Sequence, residues 1–169
     1  MFPFRHSTLL AGVGLMAMLG LSCVAAGGEP ELPWVQRHYG SLDGLPVSSA
    51  SSAQIDADGF LWLATHDGLA RFDGQRFDVH ESMRFPAMSG NRALSLHLDA
   101  QQRLFAHTAH GDWLAIDSGR IERVPLEGDS PQNVRHVDPE SLCVTTPRAL
   151  HCPAPDGSFR LQNRFPQGV

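Results

Sequence analysis

The sequence predicts an all-β chain behind an apolar leader, and three observations carry that prediction. Short apolar runs alternate with Asp-Gly and Pro-containing turns, no helical periodicity follows residue 26, and landmarks return at a fixed interval. Asp99, Thr108 and Gly111 follow Asp56, Thr65 and Gly68 by 43 residues each. That interval falls within the roughly 40–45 residues of a propeller blade. The expected architecture is a partial β-propeller of about three four-stranded antiparallel blades after an N-terminal signal helix.

Residues 1–26 read as a signal peptide. Arg5 and His6 form a short basic region, residues 9–22 are apolar, and Val24-Ala25-Ala26 offers small residues for cleavage, so the mature chain is expected to begin near Gly27 in the periplasm. The apolar run is about 14 residues, short of the roughly 20 that a spanning helix needs. Cys23 leaves with the signal. Gly20 stands where a lipoprotein signal wants an aliphatic residue.

Residues 27–50 supply a brief alternating strand at 35–39 and a turn at 42–46. Such a strand either completes the last blade and so removes an open edge, or is a plain linker. Blade 1, residues 51–82, places strands near 52–56, 60–65, 69–73 and 77–81. Its second strand is apolar on both faces, with Phe60, Trp62 and Ala64 on one and Leu61 and Leu63 on the other. A strand of that kind needs cover on both sides, which neighbouring blades provide. Blade 2, residues 92–125, places strands near 94–99, 103–108, 113–117 and 120–124. Blade 3, residues 132–163, is a degenerate unit with strands near 133–138, 141–146, 149–152 and 158–162. Trp62, Phe72, Phe77 and Phe105 are expected as core between blades rather than as a ligand cage.

Composition excludes several functions. The chain holds 13 basic and 18 acidic residues, and every basic residue is arginine. Without lysine there is no phosphate-loop lysine and no Schiff base, and the arginines form no basic stripe for nucleic acid. No Gly-x-Ser-x-Gly, Cys-x-x-Cys or His-Glu-x-x-His is present. The expectation is a chain that is not itself an enzyme and takes no cofactor or metal. Nine histidines raise a metal question, but none is spaced as in a zinc motif, and His66 aligns with Ala109 rather than with another histidine. Asp56 and Asp58 resemble the start of a calcium loop but lack its later acceptors, so a turn is expected.

Two cysteines follow the leader, Cys143 and Cys152, in a compartment expected to be oxidising. A two-residue turn at Pro147-Arg148 would pair Thr146 with Ala149 and set the cysteines directly opposite one another. A disulfide is the expectation, two unpaired buried thiols the alternative.

Asp43-Gly-Leu-Pro46, followed by the run Ile55-Asp-Ala-Asp-Gly-Phe-Leu-Trp-Leu-Ala-Thr-His-Asp-Gly-Leu-Ala-Arg-Phe-Asp-Gly74, resembles the two-component regulator propeller repeat. That repeat is found in the periplasmic sensor regions of bacterial hybrid histidine kinases and diguanylate cyclases. The resemblance weakens in blade 2, where Phe105 replaces Trp62 in register, and blade 3 keeps only the strand spacing. It implies the N-terminal part of a ligand-sensing propeller whose full-length form is anchored in the inner membrane and feeds a kinase or cyclase output. The alternatives are a fragment of a secreted propeller enzyme, such as a lyase, or a protein-interaction scaffold. Candidate ligand residues lie in the loops around the funnel: His66, Asp67, Arg71 and His110. The expected partners are a small molecule or carbohydrate, and the remaining blades of a longer chain or a homo-oligomer.

Overall fold

The computed structural model describes residues 35–166. The predicted signal helix, its cleavage site and Cys23 lie outside them. Residues from Arg37 onward form one compact unit, built from three four-stranded antiparallel sheets. The first sheet runs β1 (Ala50–Ile55), β2 (Leu61–Thr65), β3 (Gly68–Phe72) and β4 (Phe77–His80) in spatial as well as chain order. The second follows the same plan with β5 (Ala93–Leu98), β6 (Leu104–Thr108), β7 (Trp113–Asp117) and β8 (Arg120–Arg123). The third comprises β9 (His136–Val137), β10 (Val144–Thr145), β11 (Ala149–Pro153) and β12 (Phe159–Arg164). All-β character and the partial propeller are therefore as the repeat spacing predicts.

Two local expectations are corrected. Residues 35–40 carry no strand, and only a short 3-10 turn, Ser41–Asp43, precedes β1. A terminal strand needs a sheet edge to pair with. Tyr39 instead sets its ring edge-on against Phe72 at 4.6 Å and near Phe77 at 6.1 Å, covering apolar surface of the first sheet. The strand expected over 133–138 shrinks to two residues, leaving Asn133 and Arg135 in the connection before it.

The turn between the first and second strands is made the same way in each sheet. Asp56 Oδ1 accepts the backbone N–H of Asp58 and Phe60 at 3.0 and 2.9 Å, and its Oδ2 accepts the Trp62 indole N–H at 2.7 Å. Asp99 accepts Gln101 N–H and Arg103 N–H, and Asp138 accepts Glu140 N–H and Ser141 N–H. A carboxylate bonding the backbone two residues on is the reason aspartate initiates such turns. The repeated aspartates are thus structural.

The core lies between the sheets. Trp62, Ala64 and Leu69 of the first sheet meet Leu96, Leu104, Ala106, Leu114, Ile116 and Ile121 of the second. Phe105, Trp113 and Val124 on the other side meet Val137, Val144 and Phe159 of the third. Alternate residues of β6 therefore enter two cores, and all five of its residues are buried. In β2 Trp62 and Ala64 are buried against the second sheet, whereas Leu61 and Leu63 on the opposite face are only half-buried. Period-two alternation makes the two faces independent, so the thinner cover among the described residues shows directly in the burial pattern. The first strands of adjacent sheets are also tied by hydrogen bonds, from Leu96 N–H to Ser52 Oγ at 3.1 Å and from Ser51 Oγ–H to the Ala93 carbonyl at 3.2 Å.

Candidate functional site

The turns joining second to third strands share one device. Thr65 and Thr108 close β2 and β6 and Thr146 directly follows β10; all three are at most 1% exposed and bond across the turn through their hydroxyls. These turns and the connections between sheets lie at one end of the strands. In the second sheet they enclose a cavity of about 260 Å3 lined by Leu94, His107, Ala109, His110, Asn133 and Arg135 among others.

A buried polar network frames it. Asp112 is fully buried and accepts Ser89 N–H at 2.8 Å, Ser89 Oγ–H at 2.7 Å and Thr108 Oγ1–H at 2.9 Å. Arg123 balances its charge, with Nε 3.6 Å from Asp112 Oδ1, and also donates to Ser89 Oγ at 3.2 Å. With its amide oxygen turned toward the guanidinium, Gln132 accepts from Arg123 at 2.9 Å. Four chain segments, around residues 89, 112, 123 and 132, are fixed together by these bonds. Gly111 sits where they cross, at φ 82°, and a Cβ there would lie 2.7 Å from the Gln132 carbonyl. Both the backbone conformation and the space require glycine.

The histidines of this region are held rather than loose. His107 lies 3.1 Å from the Val134 carbonyl through Nε2. A carbonyl can only accept, so Nε2 carries a proton, and in the neutral ring Nδ1 then carries none. Burial lowers the His107 pKa, as it does for His97 on β5 and His80 on β4, which favours neutral rings at pH 7. The exposed His110 ring lies against Gly90, where a Cβ would overlap it. Arg135 lines the cavity, is exposed, and has no carboxylate partner among the described residues.

Of the four residues named from the sequence, His110 lines this cavity. His66 and Asp67 occupy the corresponding turn of the first sheet, exposed, with Asp67 N–H donating to Thr65 Oγ1 at 3.2 Å. Arg71 lies elsewhere. It is three ladder pairs from the turn, roughly 10 Å along β3. Its guanidinium carbon rests 3.5 Å from the Phe60 ring centroid, and it forms no ion pair with Asp67 or Asp73 among the described residues. Arg135, Asn133, Ser89 and Asp112 were not singled out by the sequence, because 133–138 reads as an uninterrupted strand, Ser89 falls between the expected blades, and Asp112 falls in a turn between two expected strands. Among the described residues no three His, Cys, Asp or Glu side chains converge as a metal site would require.

A larger cleft, of about 420 Å3, lies toward the opposite strand ends, where Asp58, Gln101, Arg103, Asp117 and Gly157 meet. Three of its charged side chains are already paired: Arg103 bonds Asp99 at 2.6 Å, Arg123 pairs with Asp112, and Glu122 pairs with Arg120 at 2.7 Å. The smaller cavity keeps a guanidinium, that of Arg135, with no carboxylate partner among the described residues. Away from both, Cys143 and Cys152 are joined in a disulfide across β10 and β11, with Cα atoms 4.1 Å apart and Thr146 N–H bonding the Ala149 carbonyl at 2.9 Å.

Comparison with known proteins bears on the fold. No family model matches the chain, and no curated protein matches it. Among solved structures it is similar to the extracellular domain of a hybrid two-component system from B. thetaiotaomicron, at TM-score 0.56 and 24% identity, covering 73% of this chain and 19% of that one. A second such extracellular domain from the same organism matches at TM-score 0.51 and 19% identity over 69% of this chain and 17% of that one. The chain thus spans about a fifth of the length of the structures it matches. At this identity the likeness establishes a shared fold and no more.

Proposed function

We propose that the chain is the N-terminal part of a periplasmic ligand-sensing propeller, which in its full-length form feeds a transmembrane signalling output of the histidine kinase or diguanylate cyclase kind. The observation that carries this reading is the cavity beside the 109–112 turn, where Asn133, Arg135 and His110 gather around a rigid polar frame. Convergent donors in a preformed concavity suit a small ligand. The likeness in fold to extracellular domains of two-component systems supports the sensing role, and the leader sequence supports export. The chain acts by binding and not by catalysis: its ordered carboxylates bond turns, and its buried histidines bond carbonyls or pack on aromatic rings. Half-exposed Leu61 and Leu63 support a partner over the outer face of the first sheet, either further blades or a second copy.

A thermal-shift screen of neutral and charged small molecules against the exported chain tests the binding role. The expected result is a saturable rise in melting temperature that His110→Ala or Asn133→Ala removes. No shift with any compound overturns the reading in favour of a scaffold. N-terminal sequencing of periplasmic protein is expected to begin near Gly27, and the coding sequence beyond Val169 is expected to encode a membrane helix and an output domain. A stop after one closed propeller would overturn the signalling role.

A further inference from the structure

We infer that this cavity takes a small hydroxylated carboxylate, with Arg135 as its anchor, an assignment that rests on the ligand-binding reading above. The residues lining the cavity include arginine, two histidines, asparagine and glutamine but no aspartate or glutamate. That selection runs against the composition, since the chain carries 18 acidic residues and a net charge of -5. The one carboxylate next to the cavity in sequence, Asp112, is consumed by Ser89, Thr108 and Arg123. The local field at Arg135 is therefore positive in an otherwise acidic molecule, and a guanidinium with no partner is suited to a planar bidentate acceptor.

The remaining lining fits the rest of such a molecule. Leu94, 37% exposed, offers an apolar wall for a carbon chain. His107, with its proton committed to the Val134 carbonyl, keeps Nδ1 as an acceptor suited to a ligand hydroxyl. Asn133 supplies both a donor and an acceptor, and Gly90 leaves the space in which the His110 ring lies. A volume of about 260 Å3 suits a compact acid rather than a polymer.

Gluconate, tartrate, glucitol and inorganic phosphate, titrated by calorimetry into the full chain, separate the possibilities. Gluconate and glucitol share a carbon chain and differ in the carboxylate. Gluconate or tartrate is expected to bind saturably and at least tenfold more tightly than glucitol. Arg135→Gln is expected to weaken that binding tenfold or more, with Arg135→Lys intermediate, because charge alone restores only part of a bidentate contact. Gly90→Ala is expected to weaken it by displacing His110 while leaving the unfolding midpoint nearly unchanged. Failure of both acids, equal binding of glucitol, tighter binding of phosphate, or an unchanged affinity in Arg135→Gln each overturns the assignment. If glucitol binds and Asn133→Ala abolishes it, the sensing cavity stands and only the carboxylate falls. If nothing in the wider screen binds, both fall.

Discussion

Replacing Asp112 by alanine tests whether the cavity frame rests on one buried carboxylate. The substitution strips acceptors from three donors at 2.7 to 2.9 Å and leaves Arg123 without its partner. Removing one member of a buried ion pair costs about 3–5 kcal/mol, because the other charge stays desolvated. Here Arg123 retains 29% side-chain exposure and the alternative acceptors Ser89 Oγ and Gln132, which places the cost at the lower end, about 3 kcal/mol. Thr108 is fully buried and cannot recover its bond from water. Asp112→Asn keeps size and one acceptor, so about 1–2 kcal/mol is expected, the difference between charged and neutral hydrogen bonds. Urea unfolding followed by tryptophan fluorescence reads this directly, since Trp62 and Trp113 are both fully buried. With an m-value of about 1–3 kcal/mol/M, the alanine midpoint should fall by roughly 1–3 M. A loss below about 1 kcal/mol would falsify the frame. So would strict additivity of Asp112→Asn with Ser89→Ala, because residues sharing a bond must couple.

Phe159 packs edge-on against Phe105 and Trp113 at 5.7 and 5.6 Å and is 2% exposed, so Phe159→Ala should cost about 3–5 kcal/mol and release the third sheet first. Hydrogen exchange that quickens evenly over all three sheets would contradict this. Cys143→Ser with Cys152→Ser opens a loop of 9-residue separation, for which the chain-entropy relation gives about 2.7 kcal/mol, checked by comparing urea midpoints with and without reductant. Burial depresses the folded-state pKa of His80, His97 and His107, so their contribution is complete above the unfolded value near 6.5 and is lost as pH falls through the folded values. The hydroxyl and backbone N–H of Ser158 hold Asp156 at about 2, so a second loss follows below pH 3.8. Melting temperature should therefore drop from pH 7 to 5 and again from 4 to 2, and a rise on acidification would contradict both. Leu61 and Leu63 are only half-buried on one face of β2, so the isolated chain should self-associate as its concentration rises, and Leu61→Glu with Leu63→Glu should reduce that association. A wild-type chain that stays monomeric at every concentration would refute that.

Why the fold was legible and the cavity only partly so comes down to which residues obey the repeat. Strands of the first two sheets follow period-two alternation, and Asp56 and Asp99 bond their own backbones, so spacing alone places the strands and their first turns. The third sheet keeps the aspartate and the threonine but shortens β9 and β10 to two residues each, which alternation cannot detect. In the second sheet Trp113 faces His107, whereas in the first Leu69 faces Ala64, so the turn after β6 is one residue longer. The constant spacing of Gly68 and Gly111 conceals this, because the extra residue follows the glycine. That residue is Asp112. Its insertion brings a carboxylate into a buried position where Ser89 and Arg123, distant in sequence, must meet it. A repeat reveals what neighbouring blades share, whereas this cavity is built from what they do not. Sequence spacing therefore reached His110, which sits in the aligned turn, and missed Arg135 and Asp112, whose positions follow from one added residue and from a strand that starts late.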